Sequence, residues 1–146
     1  MCALVRSVLV HLLTEGIKQL RAVEGASAHK NARLTLWRGM RNVTVPDAFL
    51  REGGAEKAPM STTRDLKTAV RYSASDCSVL LKLDTSNFRE RGADLRWVSA
   101  FPFEAEVCYP PLTHLMPFGE VHEIDVQQDD GQTAKFIVVE ARASFG

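Results

Sequence analysis

The stretch Phe101-Pro102-Phe103-Glu104-Ala105-Glu106-Val107-Cys108-Tyr109-Pro110-Pro111 decides how the rest of the chain is read. As a strand it alternates between two faces. Phe103, Ala105, Val107 and Tyr109 fall on one, and Glu104, Glu106 and Cys108 on the other. Pro110-Pro111 ends the ladder, because neither residue has a backbone N–H to donate. Two carboxylates at neighbouring same-face positions repel each other, and burial makes the repulsion worse. Such a pair persists where water solvates the face or where a cleft uses it, and this stretch alone leaves both readings open.

Upstream, Asp84 to Ala100 is polar and charged, with Trp97 near its end, and delivers the chain straight into the two glutamates. A loop of that length inside a compact domain is usually functional. Before it, Cys77–Leu83 reads as a buried strand. Pro59–Thr63 reads as a short strand leading into a helix with Leu66, Ala69 and Val70 at helical spacing. Thr62 with Asp65 matches a capping box, which accounts for Thr62 and leaves Ser61 and Thr63 without a required part. Val45 to Leu50 suits a turn or short helix, and Glu52 to Lys57 a loop.

Leu34-Thr35-Leu36-Trp37-Arg38-Gly39-Met40 reads as a strand. Arg38 shares parity with Leu34 and Leu36, so a central position would bury its charge unpaired at high cost. It is better placed where the strand runs out, into a cleft or into water, with Gly39 allowing close backbone approach. Residues 3–23 carry Val5, Val8, Leu9, Leu12, Ile17 and Leu20 at helical spacing, with Gly16 as a candidate break and His11 as a surface or half-buried histidine. Gly25 to Asn31 is a small-residue connection. Downstream, a turn-rich segment to Gly119 precedes strands at Val121–Gln127 and Thr133–Ala141, joined by the hairpin signal Asp129-Asp130-Gly131.

The order of elements predicts an α+β fold with a largely antiparallel sheet. No GxGxxG or P-loop pattern occurs, so neither Rossmann nor Walker chemistry is supported. Lys+Arg and Asp+Glu number 18 each in 146 residues, and the absence of a basic run argues against a nucleic-acid partner. Cys2, Cys77 and Cys108 are an odd set without metal spacing and read as reduced thiols. No stretch suits a membrane span or a signal peptide. The expectation is a single domain, monomeric and cytoplasmic, with a secreted effector and an origin in a longer chain left open.

Leu36-Trp37-Arg38-Gly39, Ser61-Thr62-Thr63 and Glu104-Ala105-Glu106, taken together, resemble the Arg / Ser-Thr-Ser / Glu-x-Glu signature of arginine-specific mono-ADP-ribosyltransferases. Order and approximate separation agree. So do the flanks Ala93-Asp94-Leu95 and Ser99-Ala100-Phe101-Pro102 before the glutamates, and Val107 with Pro110-Pro111 after them. The resemblance runs from Leu34 to Val139; it departs in Thr63, where the family usually has Ser, in a short helical part before Arg38, and in lacking cysteine pairs.

The resemblance implies an ADP-ribosyltransferase-like fold: two small, mainly antiparallel sheets packed at a steep angle around an NAD cleft. Residues 1–33 would be an N-terminal helical part and 34–146 a mainly β catalytic core. It implies transfer of ADP-ribose from NAD, consumed as a co-substrate without a metal, to an exposed arginine of an acceptor protein, with NAD against NADP left open. Arg38 would hold the diphosphate, with Gly39, Ser61, Thr62, Thr63 and Tyr72 around the nucleotide. Ser61 would orient Glu106, Thr63 would brace the backbone, and Tyr72 would pack against nicotinamide. Glu106 would stabilise positive charge on the ribose, and Glu104 would engage the incoming arginine. Trp97 and Phe101 would contact the acceptor protein. An NAD glycohydrolase and a non-catalytic NAD- or protein-binding module on the same fold are the alternatives.

Overall fold

The computed structural model describes residues 3–25, 32–75 and 77–145, with side chains of the first helix described from Ser7 onward. Cys2, the side chain of Val5 and the connection over 26–31 lie outside the described residues. Helix α1 (Ala3–Gly25) runs unbroken through Gly16; one glycine costs a helix only about 1 kcal/mol, too little to interrupt it. Its C-terminal half is the part that docks. Ile17 and Leu20 pack with Ala93 and Cys108, whereas Val8, Leu9 and Leu12 stand exposed. The first half of the expected apolar stripe therefore does not enter the core. Among the described residues, no helix is long and apolar enough to cross a membrane.

The centre of the sheet is built from the most continuous apolar runs, as burial on both faces requires. Strand β1 (Leu34–Arg41) pairs antiparallel with β4 (Ser78–Thr85) along all its residues. β4 in turn lies parallel to β9 (Thr133–Ser144). β9 also carries β8 (His122–Gln127) and β7 (Thr113–Pro117), both antiparallel. The Asp129-Asp130-Gly131 hairpin forms as the sequence suggests, with Gly131 at φ 80°. Strand β2 (Gly54–Glu56) adds to β7.

On the other side of β1 come β3 (Met60–Thr63), β6 (Glu106–Tyr109) and β5 (Ala93–Asp94), each antiparallel to the last. The order is β2-β7-β9-β4-β1-β3-β6-β5. This corrects the two-sheet expectation: hydrogen bonding is continuous across the described strands. The join is thin, however. β1 and β3 share the single pair Trp37↔Thr63, and past it the two strands part.

Two further expectations change. The segments expected as loop and turn form β2 and β7, each short and made a strand only by pairing with distant sequence. Helix α3 (Leu66–Ser73) is capped by Asp65 itself, whose carboxylate accepts from the N–H of Lys67 and of Thr68. Thr62 instead donates to Val107 O at 2.7 Å inside the core, so no capping box forms. Helix α2 (Asp47–Glu52) occupies the expected Val45–Leu50 region.

Gly39 matters for the packing of α3. A Cβ there would collide with Ala69 O and stand 2.6 Å from Ser73 Cβ and Oγ. Its close approach is thus to the helix. Overpacking of this kind costs about 1–3 kcal/mol, so Gly39→Ala lowers the free energy of unfolding by that amount, read as a lower urea midpoint at unchanged m-value. A midpoint equal to the parent's would show that α3 is free to shift.

Candidate active site

Where β1 and β3 part, the ladder is replaced by a cavity of about 320 Å³. Trp37, Arg38, Gly39, Ser61, Thr62, Thr63, Thr68, Ala69, Tyr72, Glu104 and Glu106 line it. Eight of the residues singled out in the sequence therefore meet at one place. Trp97 and Phe101 do not line it.

Arg38 is not at a strand end. It sits inside β1 opposite Leu81, and its charge is partnered. Nη1 donates to Ser61 O at 3.1 Å, bridging the gap between the strands, and Nη2 stands 3.6 Å from Glu56 Oε2.

The three hydroxyls of Ser61-Thr62-Thr63 do three different things. Ser61 Oγ points into the cavity and donates to Glu106 Oε1 at 2.6 Å. Thr62 ties β3 to β6, as above. Thr63 Oγ1 donates to Glu104 O at 2.6 Å and accepts from Asp65 N at 3.0 Å. It thereby fastens the glutamate-bearing turn to the start of α3.

That turn is not the strand the alternating pattern predicts. Pro102–Glu104 is a 3-10 turn, Ala105 is left-handed at φ 47° and ψ 46°, and β6 begins only at Glu106. Proline at the first position of the turn lacks the N–H a ladder needs. Left-handed backbone at a residue with a Cβ costs roughly 1–2 kcal/mol. It is held by Arg64 N donating to Ala105 O at 3.3 Å together with the Thr63 bond. The two carboxylates still share the cavity, but through this kink. Phe103, placed on the buried face by the strand reading, is exposed beside Phe101 with ring centroids 6.0 Å apart.

Tyr72 Oη donates to Glu104 Oε1 at 2.5 Å. That bond, and then the carboxylate's charge, hold the phenol above its ordinary pKa. Trp97 and Phe101 are 71% and 57% exposed on the segment that leads into the turn. Cys108, on the Glu106 side of β6, is packed against Ile17 and Ala93. Burial, helped by the Glu106 charge, pushes its thiol up to about 11, so it stays protonated and inert.

A charged cluster behind the turn had no strong signal beyond the Ala93-Asp94-Leu95 flank. Buried Asp94 binds Arg64 Nη2 at 2.9 Å and Arg96 Nε at 2.8 Å, while its own N–H donates to Glu24 Oε1 of α1 at 3.2 Å. Leu95 N donates to Glu106 O at 2.9 Å, so the cluster abuts the turn directly. Burial alone would raise the Asp94 carboxyl, but the Arg96 hydrogen bonds and the Arg64 charge outweigh it and hold it low. Burial, then the Asp94 charge, push Glu24 up.

The signs are opposite. Asp94's contribution to stability is present above its unfolded pKa of about 3.9 and is lost as pH falls through its lower folded value. Glu24's is complete below about 4.3 and is lost as pH rises through its raised folded value. Glu24→Gln, which keeps the acceptor oxygen, therefore raises the melting midpoint at pH 7. The gain fades below about pH 4. Melting curves at the two pH values check it, and a loss of stability at pH 7 would reverse the sign.

No family profile matches the chain, and no curated protein matches it in sequence. Solved structures do resemble it. ADP-ribosyltransferase HopU1 of Pseudomonas syringae pv. Tomato DC3000 superposes with a TM-score of 0.56 at 22% identity, over 90% of this chain and 53% of that one. The ADP-ribosylating toxin BECa of a C. perfringens binary enterotoxin, solved with NADH, gives 0.58 at 12% identity, over 97% and 36%. The enzymatic component C2-I of the Clostridium botulinum C2-toxin gives 0.56 at 15%, over 75% and 31%. The chain spans about half the length of the first and about a third of the other two. It has the ADP-ribosyltransferase fold.

Proposed function

We propose that this chain is one catalytic domain that transfers ADP-ribose from NAD to an arginine side chain of an acceptor protein and releases nicotinamide. The observation that carries the reading is the 2.6 Å bond from Ser61 Oγ to Glu106, in the same cavity as Arg38 and Glu104. The residues suit the substrate. A planar guanidinium offers the diphosphate paired, charge-assisted donors that lysine would not reproduce. Arg38 has Nη1 fixed on Ser61 O, while Nη2 faces Glu56 Oε2 at 3.6 Å, beyond hydrogen-bond distance, and keeps its donors for the diphosphate.

As the bond between nicotinamide nitrogen and ribose C1′ breaks, its electron pair goes to the ring nitrogen, which loses its positive charge. Positive charge grows on the ribose, as in glycoside hydrolysis. The Glu106 carboxylate, accepting a hydrogen bond from a ribose hydroxyl, opposes that charge more strongly in the transition state than in the ground state. Ser61 holds the carboxylate in one orientation. An arginine nitrogen then forms the new C1′–N bond, and its proton passes to Glu104. The guanidinium is otherwise fully protonated, with a pKa above about 12, so a carboxylate at that point is what makes it a nucleophile. Tyr72 and Thr63 fix Glu104 from its side chain and its backbone. Exposed Trp97, Phe101 and Phe103 flank the turn where an acceptor protein would approach.

The test is to mix the chain with NAD, with and without agmatine. Nicotinamide release together with a mass corresponding to ADP-ribosyl-agmatine supports transfer. Free ADP-ribose as the product in both arms makes it a glycohydrolase, and NAD binding without turnover makes it a binding module.

A further inference from the structure

Glu106, Ser61, Arg38 and Glu56 stand in a row. Glu106 accepts from Ser61 Oγ, Ser61 O accepts from Arg38 Nη1, and Arg38 Nη2 faces Glu56 Oε2 at 3.6 Å. The cavity reaches along this row as far as Arg38, and Glu56 is the next charged group beyond it. Nothing in the chemistry described so far uses Glu56. If its task were only to neutralise Arg38, it would weaken the hold on a diphosphate, because it sets a negative charge beside the cation that must bind one.

The position is nevertheless well defined. Glu56 lies on β2 opposite Thr113, its backbone O accepts from Leu112 N at 2.7 Å, and Oε1 accepts from Ala58 N at 3.2 Å. The separation of 3.6 Å from Arg38 is longer than a hydrogen bond, so Oε2 keeps its acceptor capacity.

The order of groups in a dinucleotide supplies the missing occupant. With the nicotinamide ribose at Glu106 and the diphosphate at Arg38, the group that follows is the adenosine ribose. We infer, building on the NAD reading above, that Glu56 accepts hydrogen bonds from the adenosine ribose hydroxyls and thereby selects NAD over its 2′-phosphorylated form. An ionised carboxylate is an acceptor only, and a ribose diol offers two donors. A 2′-phosphate offers no donor there and brings a charge of about −1.5 to −2 against the carboxylate. An acidic side chain on the ribose 2′-hydroxyl gives the same discrimination in dinucleotide folds of unrelated topology.

Calorimetric titration of the Glu106→Gln protein, whose turnover is expected to fall about a thousandfold, with NAD and NADP reads the inference out apart from catalysis. The expected result is NAD at least tenfold tighter than NADP. Adding Glu56→Gln narrows that ratio at least fivefold, chiefly by tightening NADP, and Glu56→Lys inverts it. Equal affinities in the Glu56 parent overturn the inference, and so does a ratio that Glu56→Gln leaves unchanged. A residue that merely steadies Arg38 would move both affinities by one factor and give that unchanged ratio. If a folded Glu106→Gln protein binds neither dinucleotide and the unsubstituted chain releases no nicotinamide, the NAD reading itself has failed and the inference falls with it. Melting curves of each variant establish folding.

Discussion

Replacing Glu106 by glutamine lowers nicotinamide release from NAD by about a thousandfold, the upper end of what one preorganised electrostatic partner supplies. The substitution keeps the shape and leaves an oxygen to accept from Ser61 Oγ, so the turn and β6 stay in place. In the proposed reaction, what it removes is a negative charge beside a ribose that becomes positive. The Glu106 side chain is only partly buried, and its neighbour Glu104 is also acidic. Losing one of two nearby like charges therefore does not destabilise the fold, and the melting midpoint stays within a few degrees. Ser61→Ala is the companion: it keeps the charge and loses its orientation, and costs about tenfold, the value of one hydrogen bond near 1.4 kcal/mol. Nicotinamide is quantified chromatographically over time. A Glu106→Gln rate within tenfold of the parent would sink the assignment, whatever Ser61→Ala does.

How far the sequence could take the site depends on which interactions are local. Arg38, Ser61 and Glu106 were legible because three separated motifs kept their order, and the β1–β3 and β3–β6 pairings bring them together. The manner of the meeting was not legible. Period-two alternation put Glu104 and Glu106 on one strand face, and they do share a cavity, but through a 3-10 turn and a left-handed Ala105. Pro102 was the available clue. A local pattern likewise misassigned Thr62. Thr62 and Asp65 have capping-box spacing, yet the Thr62 hydroxyl finds a buried carbonyl on β6, 45 residues away in sequence. Glu56 was unreadable for the same reason: its strand exists only because β7 lies beside it. The apolar first half of α1 shows the limit of periodicity itself, which identified the helix but not that only its second half would find a surface to cover.

The second large effect is a separation of products. Glu104→Gln lowers transfer to agmatine by about a hundredfold or more, within the range for a positioned acid–base group, while nicotinamide release without acceptor falls less than tenfold. In the proposed reaction the two carboxylates meet different charge changes. Glu106 is bonded to Ser61 on β3, at the end of the cavity nearer Arg38. Glu104 is held instead by Tyr72 on α3 and by Thr63 through its backbone, one residue after exposed Phe103. Its Oε1 takes the Tyr72 hydroxyl, and Oε2 is left for a guanidinium. Glutamine there presents an amide that neither attracts a cation nor accepts its proton, so arginine loses its base while bond cleavage at the ribose keeps its own. Tyr72→Phe removes only the tether and gives an intermediate loss of transfer, read as a higher KM for agmatine rather than a lower rate of nicotinamide release. Products are separated by mass after equal consumption of NAD. Equal losses of transfer and hydrolysis in Glu104→Gln would mean that the two carboxylates act as one unit, and that the kink at Ala105 serves to bring them together rather than to divide their work.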